Sequence, residues 1–206
     1  MSKNLPDQSN FLTIGAWNPA IIQPHWLRKY FSGKIPDTCQ IEIASVGAIS
    51  AFRMSYPKVS IDPNNGRLIF IPKELSEESM KYIAELSLGI QGKLEHTPIV
   101  ASGSNFVYQL EAGESFTLDE IEQEQQIAEL YKNLNEQGKI ISKSIRHTFS
   151  LKDYSVNITY DYSGSDRLLR VNFDYQGTES MKLAAEGLVA NFKYSLDLQK
   201  QLIRKQ

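Results

Sequence analysis

Four side chains sit close enough along the chain to act as a chemical group: His96, Ser102, Ser104 and Asn105, in His96-Thr-Pro-Ile-Val-Ala-Ser-Gly-Ser-Asn-Phe106. A histidine near two hydroxyls and an amide could be a nucleophile with its base, or a polar pocket that orients a small ligand. A serine hydrolase sets its nucleophile in Gly-x-Ser-x-Gly on a strand-to-helix turn, and this run has neither the second glycine nor the helix. The simpler expectation is a strand interior. Gly103 would then mark a bulge, or a point where another backbone or a ligand comes close. If the chain holds a polar pocket, these four residues are where it is expected.

Other chemistry is sparse. His25, His96 and His147 are far apart, and none stands in a His-x₃-His or His-Glu-x-x-His spacing, so no metal site is expected. Cys39 is the one cysteine; it cannot close an intramolecular disulfide and reads as a small apolar residue. Neither Gly-x-Gly-x-x-Gly nor a Walker A sequence occurs, so no nucleotide cofactor is expected. Asp119, Glu120, Glu122, Glu124 and Glu129 fall in one helical stretch that has no Lys or Arg between Thr117 and Tyr131. Carboxylates on adjacent turns can bind metal, but such a run is more often a solvated face whose first-turn acids complement the helix dipole. Tyr154, Tyr160, Tyr162, Phe173 and Tyr175 alternate with Arg146, Arg167 and Arg170, a composition that could stack bases. Tyrosine is also a good strand former, and Asp153, Asp161, Asp166 and Asp174 offset the arginines, which argues against nucleic acid.

The 206 residues carry 22 Lys+Arg against 24 Asp+Glu, a formal net charge of −2, with 41% hydrophobic residues. These proportions fit an ordinary globular chain and exclude disordered, collagenous and disulfide-stapled classes. Near-zero net charge leaves no global pull towards nucleic acid or an anionic membrane. The polar start, Met1 to Gln8, lacks a signal-peptide apolar core. The most apolar stretch, Ile41 to Phe52, is broken by Glu42, Ser45, Gly47 and Ser50, so the expectation is a cytoplasmic protein with no membrane contact.

Positioning these residues falls to short strands and three long helices. Phe11–Trp17 is rich in β-branched and aromatic residues, as a strand should be; Asn18-Pro19 ends it, and Pro24 opens a short helix. Strand material follows over Ile41–Tyr56. Asn65-Gly66 between Val59–Asp62 and Arg67–Ile71 predicts a hairpin. Ser76 should cap a helix burying Met80, Ile83 and Leu88, and Ile99–Leu110 should return as a strand. Thr117 with Glu120 forms a capping box for the acidic helix, 118–135. Three strands follow, over Ile140–Leu151, Tyr154–Tyr162 and Arg167–Tyr175. Thr178 should cap a last helix from Glu179 to Arg204.

Glu78-Ser-Met-Lys-Tyr-Ile-Ala-Glu85 matches Glu179-Ser-Met-Lys-Leu-Ala-Ala-Glu186 at six of eight positions, and Arg67-Leu68 echoes Arg167-Leu168. A period near 100 suggests duplication of a domain half rather than a solenoid. The expected fold is therefore α+β: antiparallel sheets with helices on one face, as one domain of two pseudo-symmetric βββα halves, about 40–110 and 139–206. The last helix carries the apolar stripe Met181, Ala185, Leu188, Phe192 and Leu196, resumed by Leu202 and Ile203. At about 39 Å it would reach the edge of the body, so Phe192, Leu196, Leu202 and Ile203 are the expected interface of a homodimer or with a protein partner. The function expected from sequence is non-enzymatic binding or assembly. A small-molecule binder or enzyme using the His96 group is the alternative, and weak nucleic-acid binding through the Tyr/Arg strands is the second.

Overall fold

The computed structural model describes residues 2–46, 49–116, 142–163 and 166–205. The expected acidic helix, 118–135, lies outside them. The described residues form an α+β fold in which one large antiparallel sheet carries its helices on one face.

The first strands are β1, Lys3–Asn4, and β2, Asn10–Gly15. Helix α1, Pro24–Phe31, opens on the expected proline, where the missing N–H costs nothing. The strand expected over Ile41–Tyr56 is two strands, β3 (Gln40–Val46) and β4 (Ile49–Ser55), paired as a hairpin. The apolar run hid that turn. Strands β5, Val59–Asn64, and β6, Arg67–Pro72, pair around Asn65-Gly66, with Gly66 at φ +86° as such a turn requires. Helix α2, Glu77–Lys93, is capped by Ser76, whose Oγ accepts from the Ser79 N–H at 3.2 Å. Then come β7, Ile99–Gln109, the short β8, Glu114–Phe116, and the meander β9 (Ser142–Ser150), β10 (Ser155–Ser163) and β11 (Asp166–Gln176).

The last helix, α3, spans Ser180–Leu202. Thr178 does not cap it: Glu179 holds the cap position and makes no side-chain bond there. Nor does the helix run through Arg204. Ile203–Lys205 leaves it as β12, which pairs with β8, Ile203 opposite Phe116. The chain's last described turn is thereby tied to its own body.

The main sheet runs β3-β4-β5-β6-β2-β7-β11-β10-β9, with β1 added to β7. Helices α2 and α3 lie against each other and over this sheet. Strand alternation sends Phe11, Leu68, Phe70, Phe106, Val171 and Phe173 to that face, where they join Met80, Ile83, Met181 and Leu188 in one apolar cluster. Each such side chain contributes roughly 1.5–3 kcal/mol by leaving water. Gly103 does mark a close approach: a Cβ there would sit 2.6 Å from the Phe173 carbonyl oxygen. It is not a bulge, because pairing to β2 and β11 runs unbroken through it; the irregularity falls at Ile14/Gly15.

Candidate binding surfaces

The four residues of the expected polar pocket do not converge. His96 lies in the turn before β7 with its side chain 95% exposed, 3.6 Å from Glu95. Ser102 and Ser104 point under the helices. Ser102 Oγ donates to Thr13 Oγ1 at 2.9 Å and accepts from Ser180 Oγ at 3.3 Å. Ser104 is fully buried, and its hydroxyl has no hydrogen-bond partner among the described residues. Small hydroxyl residues here let the helices settle closely on the central strands. Asn105, the next residue, projects from the opposite face.

Among the described residues no α-helix lies on that opposite face, although the short 3-10 turn Pro6–Gln8 packs against β6 and β7 and reaches Arg170 there; Asn105 belongs to a row that crosses it. Asn157 Nδ2 on β10 donates to Asn172 Oδ1 on β11, Asn172 Nδ2 to Asn105 Oδ1 on β7, and Asn105 Nδ2 to Asn10 Oδ1 on β2, each at 2.8 Å. The row is anchored at β9, where Arg146 Nε (3.2 Å) and Thr148 Oγ1 (2.8 Å) both donate to Asn157 Oδ1. Asn157 is only 4% exposed, with Arg146, Thr148 and Asn172 all bonded to its amide. All the amides point the same way. The chain of bonds therefore runs from a guanidinium to Asn10, and each bond polarises the next. The half-buried Asn10, Asn105 and Asn172 each still have an N–H to offer outward.

Beside the row the face is aliphatic. Leu12, Ile69 and Ile71 are half-buried and Ile14 is 43% exposed. Four of its charges are paired within it. Arg170 Nε meets Asp161 Oδ2 at 2.6 Å, with Ser144 Oγ donating to the other carboxylate oxygen at 2.7 Å. Arg53 Nη2 lies 3.5 Å from Asp62 Oδ2, and Asn64 Nδ2 donates to Asp62 Oδ1 at 2.7 Å. The face is close to neutral, so it sets up no field that would draw a polyanion.

The aromatic rings that might have stacked bases are on the other side. Tyr160, Phe173 and Tyr175 are buried under α3, and Tyr154 stacks on Tyr175 at 5.0 Å. Burial pushes the Tyr108 and Tyr160 hydroxyls up to about 12 from an ordinary 10.0; for Tyr108 a hydrogen bond with Ser195 partly offsets this. The stacking platform that nucleic-acid binding through this meander calls for is thus folded into the core. Among the described residues no three His, Cys, Asp or Glu side chains gather as a metal site. What the face opposite α2 and α3 presents is amide groups and aliphatic surface.

The four expected interface residues are also divided. Phe192, 3% exposed, packs on Phe106 with ring centroids 5.6 Å apart and belongs to the core. Leu202 lines a groove of about 390 Å³ between the end of α3 and β9–β10, along with Phe149, Leu151 and Tyr194. Leu196 and Ile203 line a separate cleft of about 360 Å³ with Ser2, Gln199 and Lys200. No single apolar stripe leaves the body at this end.

No protein-family model matches this chain, and none of the curated proteins is significantly similar to it.

Proposed function

We propose that this chain is a non-enzymatic binding or assembly protein, and that the face of its sheet opposite α2 and α3 holds a protein partner. The observation that carries this is the combination on that face of the asparagine row, the half-buried aliphatic residues Leu12, Ile69 and Ile71, and a balanced set of charges, with Arg53–Asp62 and Arg170–Asp161 paired. Satisfied polar groups around apolar contact area are the make-up of a protein interface. A nucleic-acid face would instead carry a clear excess of cations. Nine strands at about 4.8 Å spacing make the face about 38 Å wide. Over five residues of strand that is roughly 650 Å², close to the roughly 800 Å² that a stable interface takes from each partner.

The partner that fits is a folded protein with a near-neutral patch of mixed amide and aliphatic character, matching the balanced charge of this face. Duplication of a half fits the same picture: β4-β5-β6-α2 and β9-β10-β11-α3 flank the central β2–β7 pair. Such an origin would give the face a centre at the Asn10–Asn105 contact.

The test is a pair of substitutions in exposed or half-exposed positions, Ile14→Asp with Ile69→Asp, compared with wild type by size-exclusion in extracts of the native host. Wild type should co-elute with a partner protein of the host, and the variant should elute without that partner. A wild type that elutes alone, or a variant that keeps the complex, overturns the proposal.

A further inference from the structure

The two ends of the sheet carry a second and independent surface. Natural sheets guard their edge strands with lysine, proline, bulges or a covering element, because unpaired N–H and C=O groups invite another strand. Strand β3 is an edge of the sheet order and has none of these sequence guards. Gln40-Ile-Glu-Ile-Ala-Ser-Val46 contains no Lys, Arg or Pro, and it pairs with β4 residue for residue without a bulge. On its helix-side face Ile41 is 54% exposed and Ile43 72%, while Glu42 projects from the opposite face, loosely paired to Arg53 at 4.0 Å.

The other edge, β9, has the reverse character. Ile145, His147 and Phe149 project to its helix side, Phe149 52% exposed, and the exposed Arg146 to the opposite side. Nine strands stand in the order β3 to β9 with every neighbouring pair antiparallel, so eight reversals separate the two edges and they run the same way. A second copy placed beside the first with its helices on the same side therefore brings its β3 alongside β9 as a parallel pair. With Glu42 set beside Arg146, Ile41 falls beside Ile145 and Ile43 beside His147, all on matching faces.

We infer that this chain associates with copies of itself head to tail, β3 of one against β9 of the next. Isologous pairing finds no charge complement: β9 carries Lys143 and Arg146 with no acidic residue, so two β9 edges would meet with charge of one sign. Two β3 edges would set Glu42 near Glu42. A heterologous contact leaves one edge of each kind free at the ends, so growth continues past the dimer.

Light scattering on the purified full chain over a range of concentrations tests this. Wild type should rise from 23.4 kDa through dimer to larger species without a plateau at two copies. Glu42→Lys and Arg146→Glu should each weaken association by roughly tenfold or more. Mixing those two variants, or combining them in one chain, should restore it, because each junction then again joins opposite charges. Ile43→Lys, at an exposed position, should abolish association without unfolding the chain. A wild type that stays at one copy, a rise that stops at two, or single variants that leave the masses unchanged would each overturn the inference. The Ile14/Ile69 variant leaves both edges intact and should still associate, which separates this contact from the face proposed above.

Discussion

At the scale of single residues, the asparagine row is the feature that sets this protein apart from an ordinary sheet. Asn172 sits in its middle, accepting from Asn157 and donating to Asn105. Asn172→Leu removes both bonds at once and orphans the Asn157 amide, which has little access to water. The expected cost is about 1–3 kcal/mol, the ordinary penalty for a buried donor left unmade. An Asn157→Ala/Asn172→Ala cycle measured by urea unfolding should return a coupling above about 0.5 kcal/mol; additive losses would show the row to be four separate amides. The buried tyrosines give a second outcome. Tyr108 and Tyr160 keep their protons to about 12 in the folded chain and lose them near 10.0 when unfolded. Both groups are neutral in either state below pH 10, so they make no pH-dependent contribution there. Above it only the unfolded state ionises, and stability falls by about 1.4 kcal/mol per pH unit for each tyrosine. Urea midpoints should therefore drop steeply from pH 10 to 12. None of this was legible in the sequence. Asn10, Asn105, Asn157 and Asn172 are scattered over 160-odd positions, and only the pairing register places them side by side.

Elements were much more legible than their arrangement. Local rules found α1 from its proline, the β5–β6 hairpin from Asn65-Gly66, and α2 from Ser76, because each signal acts within a few residues of where it is written. The rule misled where two caps looked equally good. Ser76 does accept from the Ser79 N–H, so Ser76→Ala should cost about 1 kcal/mol in thermal or urea unfolding. Thr178→Ala should cost almost nothing, since Glu179 holds the cap position there. Equal losses for the two would contradict this difference. Two helix glycines, Gly89 and Gly187, are packing features. A Cβ on Gly89 would lie 2.7 Å from the Phe31 ring, and one on Gly187 2.9 Å from the Tyr175 hydroxyl. Propensity sees the entropy of glycine but not the neighbour that needs its missing side chain. The same blindness made one strand of β3 and β4 and let α3 run on through Ile203.

For the molecule as a whole, what no local rule supplies is the central position of β2 and β7. Strands from the two ends of the first hundred residues meet in the middle of the sheet. The hairpins then extend outward on each side. This arrangement sends Ser104 and Asn105 to opposite faces and turns an expected pocket into part of a core and part of a surface. It also joins the halves. Phe11 and Phe70 from one side and Phe106, Val171 and Phe173 from the other belong to one continuous apolar cluster, and α2 packs on α3 above it. A lesion far out on one side should therefore be felt on the other. Both tryptophans, Trp17 and Trp26, lie in the first thirty residues, whereas Ile158 is on β10, 7% exposed beneath the helices. Ile158→Ala should cost about 2–4 kcal/mol by the cavity it leaves. If the halves share one core, tryptophan fluorescence must report this loss in full, its melting transition moving down together with far-UV circular dichroism and staying superimposed on it. A fluorescence transition that stays in place while the dichroism splits into two steps would mean that the halves unfold independently across the β2–β7 seam.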